Sequence, residues 1–205
     1  MTGSTADIAG VVSLAGLAGV IGSLGYLHLA PTGLSPVHNA VSQYGITEYR
    51  LGYRVATVSF GIAGSALATG LHATLLTPGT SVVVTLLAIF AAGRFVISWF
   101  PMDAPGTPRT PTGQAHGLIA IGTFGSAVIA AFRLGSVLRV GSLWHSLSPV
   151  SAGLGVVMAV CILGMFLGRS STSWRRVFGA VERSFYLSAI IWFTIFSVAC
   201  VTASK

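Results

Sequence analysis

Residues 81–111 read SVVVTLLAIFAAGRFVISWFPMDAPGTPRTP, and the change of character along this stretch decides the fold. Residues 81–100 are apolar except for Arg94 and a few small hydroxyls. That is the roughly 20-residue length with which a helix crosses a hydrocarbon core about 30 Å thick. Pro101, Pro105, Pro108 and Pro111 then follow with Gly106 and Gly113. Proline has no amide hydrogen and clashes with the preceding turn, so helix is forbidden there. The same unit, an apolar run closed by a breaker, recurs outward in both directions. Runs at about 8–30, 51–76, 114–134, 149–167 and 184–203 join the one at 81–100 to make six spans. Pro31, Pro36 and Asn39 end the first, Thr77-Pro78-Gly79 turns the chain between the second and third, and Ser148-Pro149 restarts the fifth.

Composition agrees. Of 205 residues, 53% are hydrophobic and 7% charged, whereas a soluble domain carries about a quarter charged. A mean hydropathy of +0.84 excludes disorder, and 26 Gly with 8 Pro in no three-residue repeat exclude collagen. The reading is an all-α polytopic integral membrane protein, one six-transmembrane-helix bundle over residues 1–205. The net charge of +7 comes from basic residues scattered singly between apolar runs, which points to membrane lipids and not to nucleic acid. Cys161 and Cys200 lie inside apolar runs and suggest neither a disulfide framework nor zinc. No Lys or Arg precedes the first run, so a cleaved signal peptide is not expected.

Six spans put both termini on one side and the first, third and fifth loops on the other. Arg50, Arg54, Arg94, Arg109, Arg169, Arg175, Arg176 and Arg183 fall on the odd-loop side, against Arg133, Arg139 and Lys205. The positive-inside rule therefore predicts a multi-pass cell (plasma) membrane protein with cytoplasmic odd loops and both termini extracytoplasmic. Small residues predict the packing. Gly10, Ser13, Gly16, Gly19, Gly22 and Gly25 recur every third position on the first span, a stripe that spirals toward more than one neighbour. Gly61, Gly64, Ser65 and Ala68 on the second span, and Gly117, Gly122, Gly125 and Ser126 on the fourth, are expected to act likewise. The bulky sixth span, with Phe185, Tyr186, Trp192, Phe193 and Phe196, is expected at the bundle edge. Trp174, Phe178 and Val181 at helical spacing, with Arg175, Arg176 and Arg183 around the turn, predict an interfacial helix on anionic headgroups.

Polar residues collect at one depth on the odd-loop face: His28, His38, Ser42, Gln43, Tyr44, Glu48, Arg54, Arg94, Asp103 and His116. A charge within a span is costly and normally faces the bundle interior, paired. Arg94 stays protonated, so it needs a carboxylate, carbonyls or water, with Asp103 or Glu48 as the nearest acids. Two readings stand side by side. In one, an Arg94–Asp103 or Arg54–Asp103 pair locks the helices. In the other, His38, Ser42, Tyr44, Arg54, Arg94, Asp103 and His116 line a pocket for a polar or anionic lipid-like ligand. No cofactor is predicted. Zinc on His28, His38, Asp103 and His116 lacks HExxH or CxxC spacing. Haem b between His28 and His116, and between His72 and His145, rests on position alone. No GxSxG suggests a serine hydrolase.

Two segments carry a resemblance: Ser35-Pro-Val-His-Asn-Ala-Val-Ser42-Gln-Tyr-Gly45, and Phe100-Pro101-Met102-Asp103 followed by Gly113-Gln-Ala-His116. Within six spans they resemble the membrane family catalogued as domain of unknown function 998, although members commonly have an acid where this chain has Gln43. The resemblance implies the six-helix fold over nearly the whole chain and no particular activity. A looser similarity of Ser35, His38, Asp103 and His116 to seven-helix membrane hydrolases such as alkaline ceramidase implies the alternative of a metal-dependent lipid hydrolase. The expected function is lipid-like ligand binding at one membrane face, with that hydrolase or a purely structural, assembly role as alternatives.

Overall fold

The computed structural model describes residues 2–140, 143–170 and 176–203. Six long helices follow one another: α1 (Thr2–Leu29), α2 (Arg50–Thr74), α3 (Thr80–Val96), α4 (Pro111–Leu138), α5 (Ser148–Ser170) and α6 (Phe178–Thr202). All six are long and apolar enough to cross a membrane, and no strand occurs among the described residues. Short 3-10 turns at Val41–Ile46, Ile97–Trp99 and His145–Leu147 complete the chain.

The punctuation behaves as its chemistry requires. Gly79 takes the left-handed conformation (φ 92°) that ends the turn before α3, where a side chain would be strained. Thr110 caps α4 by accepting from the Gly113 amide at 3.1 Å, and Pro111 occupies the first turn, so α4 starts three residues before the predicted Gln114. Ser148 is the first residue of α5. Its hydroxyl donates across to the Gly135 carbonyl of α4 at 2.8 Å.

Each helix packs on the next, and α6 closes the ring between α5 and α1 while also touching α2. α2 and α6 are the central pair: 61% and 56% of their most apolar windows are buried, against 28–39% in the other four. Phe185, Tyr186, Trp192, Phe193 and Phe196 are therefore core residues, which corrects the expected edge position of the sixth span. The reason is aromatic packing. The α6 rings pack against rings of α2, α3 and α4, and Trp192 reaches Ser151 of α5. Phe60, Phe90 and Phe193 meet pairwise at 4.9–5.1 Å between ring centroids.

Serines supply the polar stitching that lipid makes worthwhile. Ser197 donates to Ser13 at 2.7 Å, and Ser13 to the Ala63 carbonyl at 3.1 Å, joining α6, α1 and α2. Trp192 donates to Ser151 at 2.8 Å, and Ser151 to the Ala131 carbonyl at 2.7 Å, joining α6, α5 and α4.

The glycine stripe of α1 does spiral. A Cβ on Gly10 would strike Ser197 and Val201 of α6, and one on Gly16 would strike Ser59 and Ala63 of α2. Gly22 and Gly25 have nothing within 4 Å. On α4 the expectation fails for Gly117, Gly122 and Gly125, which meet open space, while Ser126 is buried. Gly93 of α3, against Thr123, makes that helix contact instead.

Candidate functional site

The odd-loop face is built around the first turns of α6. Arg183 donates from Nε to His28 Nε2 (2.7 Å), from Nη1 to the carbonyls of Asn39 (2.7 Å) and Gly179 (3.1 Å), and from Nη2 to the Tyr44 hydroxyl (3.3 Å). His28 Nδ1 faces the Leu24 carbonyl at 2.5 Å. A carbonyl only accepts and Nε of arginine only donates. His28 is therefore the neutral imidazole with its proton on Nδ1. Beside it, buried Glu182 accepts the Val41 amide at 2.7 Å, and the Ala180 amide donates to the Val37 carbonyl at 3.0 Å. Gly179 lies so close to the Pro36 and Asn39 carbonyls that a Cβ would overlap them. The first loop is thus clamped onto α6.

This corrects the reading of residues 174–183. Trp174 and Arg175 lie outside the described residues. Phe178, Val181 and Arg183 belong to the transmembrane helix α6 itself, and Arg183 turns inward to the loop. Glu182 and Arg183 can enter the span because the loop satisfies them. Neither was singled out for the pocket. The available signal was that Glu182 is one of only four acids in the chain.

Deeper in the bundle, Arg94 is 1% exposed. Its Nη1 donates to the Tyr186 hydroxyl at 2.9 Å, and its guanidinium sits 5.5 Å from the Phe60 ring centroid and 5.3 Å from that of Tyr186. Aromatic faces stabilise a cation where water is excluded. Glu182 is within its electrostatic reach. Arg94 Nε has no hydrogen-bond partner, nor do Gln43 Oε1 and Ser98 Oγ, all three atoms being buried.

The expected pairing of Arg94 or Arg54 with Asp103 does not occur. Asp103 takes the Thr110 hydroxyl (2.6 Å) and amide (3.1 Å), steadying the residue that caps α4. Those two bonds hold its carboxyl below the usual carboxylate range. Gly113 is required beneath it, since a Cβ there would overlap the carboxylate. Arg54 lies over the Trp99 ring at 4.6 Å. His116 is buried, with Nδ1 2.7 Å from the Phe100 carbonyl. Ser42 donates to Met102 Sδ at 3.1 Å, and exposed His38 meets the Ser35 hydroxyl at 2.8 Å. Of the seven predicted pocket residues, Tyr44 joins the Arg183 clamp and Arg94 lies against the Phe60 and Tyr186 rings; Ser42, Arg54 and His116 each reach residues 99–102 beside Asp103, and His38 meets Ser35. Among the described residues no three His, Cys, Asp or Glu side chains gather to hold a metal. His72 and His145 are both exposed.

Room for a ligand lies elsewhere. A groove of about 740 Å³ runs between α1 and α2 on the outer wall of the bundle, under the same odd-loop face. Gly19, Gly22 and Gly52 form its floor, with Tyr26, Glu48 and Tyr49 around its polar end. The two helices are pinched together beneath it, where Ser23 donates to the Gly52 carbonyl at 2.6 Å and Gly52 leaves no space for a Cβ against Leu27. Gly22, beside that contact, faces open space. Tyr26 and Tyr49 meet edge to face at 6.4 Å. A second groove, of about 450 Å³, lies between α2 and α3 and is lined mostly by alanines and Phe95, with His72 at one end.

A family model described as "Protein of unknown function (DUF998)" matches residues 13–199, nearly the whole bundle. No curated protein and no solved structure matches the chain.

Proposed function

Since the chain belongs to the DUF998 family, whose description assigns no activity, we propose that it is a non-enzymatic lipid-binding protein of the plasma membrane. The lipid sits in the groove between α1 and α2. The observation that carries this reading is the groove itself. Its volume falls in the range of about 300–1,000 Å³ typical of ligand sites. It opens toward lipid along its apolar length and ends in polar side chains at headgroup depth. Arg94 and Arg54 give no support to an anionic ligand, because one is sealed under aromatic rings and the other is held over Trp99.

The orientation proposed puts this groove in the cytoplasmic leaflet and both termini outside. Setting aside Arg94 and Arg183, which the fold itself uses, six basic residues remain on the odd-loop side against three on the other. The exposure of Arg176 supports contact with anionic headgroups there.

Native mass spectrometry of protein released from nanodiscs tests the reading. One retained phospholipid per chain is expected for the wild type. In Gly22→Leu, whose side chain would occupy the open floor, the lipid is expected to be lost while helix content is unchanged. A wild type that emerges bare, or a Gly22→Leu variant that keeps its lipid, overturns it.

A further inference from the structure

We infer that the groove selects lipids with an amine-bearing headgroup, ethanolamine or choline, over anionic lipids. This rests on the lipid-binding reading above and adds the chemistry of the headgroup. The polar end of the groove is formed by two aromatic rings and one carboxylate. Tyr26 is 55% exposed and Tyr49 lies edge-on to it at 6.4 Å, while Glu48 is exposed immediately before Tyr49 in the chain. No Lys or Arg lines the groove. Two tyrosines and a carboxylate, with exposed Arg50 next in the chain but outside the lining, form a seat for a positive charge. The ring faces attract it through their quadrupoles and the carboxylate through its charge, as in aromatic cages that bind quaternary ammonium groups. A phosphoglycerol headgroup would meet the same carboxylate with repulsion and find no donor cation in compensation.

The position fits a lipid already in the bilayer. Tyr26 and Glu48 lie at the end of the first span and in the first loop, the level of phospholipid headgroups. Gly22, Leu51 and Val55 continue the groove inward as an apolar trough for acyl chain. Tyr26 and His28 are two residues apart, about 200° around the helix. Tyr26 therefore faces the groove while His28 faces Arg183, and the headgroup seat and the internal clamp do not compete for side chains.

The test uses full-length protein in nanodiscs of equimolar phosphatidylethanolamine and phosphatidylglycerol, with retained lipid identified by native mass spectrometry. The wild type is expected to retain the amine lipid with roughly a three- to tenfold preference, the scale of one cation–aromatic contact with an added charge. Glu48→Gln and Tyr26→Leu are each expected to bring that ratio close to one while total retained lipid stays within about twofold. Both residues are exposed, so circular dichroism should report an unchanged helix content. Retained lipid without preference in the wild type, or a preference unmoved by Glu48→Gln, overturns the headgroup inference and leaves lipid binding standing. A wild type that retains no lipid overturns the lipid-binding reading itself.

Discussion

Two polar regions lie toward the odd-loop face, one inside the bundle and one on its outer wall, and they are built on opposite principles. Inside, Arg183, His28, Tyr44 and Glu182 spend their donors and acceptors on one another and on the first loop, while Arg94 donates to Tyr186 and lies against aromatic faces with its Nε unpartnered. Outside, Tyr26, Glu48 and Tyr49 surround an open groove. A polar group buried in hydrocarbon must be satisfied by protein, so inward residues become structural. A polar group at the lipid boundary is free to meet a ligand. Density of ionisable side chains therefore locates the fastening of this protein, and the proposed lipid groove lies where they are sparse.

Substitutions can break this contrast. The largest effect is expected from Gly16→Leu, since its Cβ would stand 2.8 Å from the Ser59 carbonyl oxygen and 3.0 Å from the Ala63 amide nitrogen. Backbone cannot yield as a side chain can, and a loss of about 3 kcal/mol should appear as a lowered unfolding midpoint in detergent. Arg183→Ala should follow, at about 2–3 kcal/mol, because the Asn39 carbonyl, His28 and Tyr44 all lose a charged donor. Limited proteolysis between residues 35 and 46 should rise with it.

Arg94 sharpens the comparison further. Arg94→Met strands the Tyr186 hydroxyl and should cost about 1 kcal/mol. Adding Tyr186→Phe should recover most of that, because replacing both members of a buried polar pair by apolar groups is close to neutral. A double variant as unstable as the sum of both singles would show that Arg94 has a further partner.

Asp103 should give a smaller effect, visible only through pH. Its carboxyl is held low in the folded state, so the stability it lends is complete above about pH 4 and declines as pH falls through the lower folded value. The melting temperature of the wild type should drop between pH 5 and about pH 3 more than that of Asp103→Asn. Smallest of all, Gly22→Leu should change stability by less than about 0.5 kcal/mol, since nothing lies within 4 Å of its added carbon. Gly16 and Gly22 belong to one stripe, and their opposite outcomes would separate seam from groove.

Much of the architecture was legible in advance. The six spans emerge from hydropathy and proline alone, because a bilayer requires long continuous apolar helices and proline ends them. The spiralling stripe of α1 was readable for the same reason, as three-residue spacing does not match 3.6 residues per turn. The site was read less well. Asp103 was expected beside an arginine and instead steadies a helix cap seven residues later, a local contact that common depth cannot distinguish from a distant one. Arg183 was expected on lipid and instead holds the first loop, because no periodicity reveals that a loop 140 residues earlier folds back upon it. Glu48 was noted as a partner for Arg94, yet it faces outward into the groove.

The sequence by itself determined that this chain has six helices long and apolar enough to cross a membrane, since that follows from the cost of placing unsatisfied backbone and charge in hydrocarbon. The tertiary structure alone decided which face of each helix turns inward. That choice depends on how rings on α6 pack against rings on its neighbours, and it made Arg94 and Arg183 into fasteners while leaving Tyr26 and Glu48 facing open space.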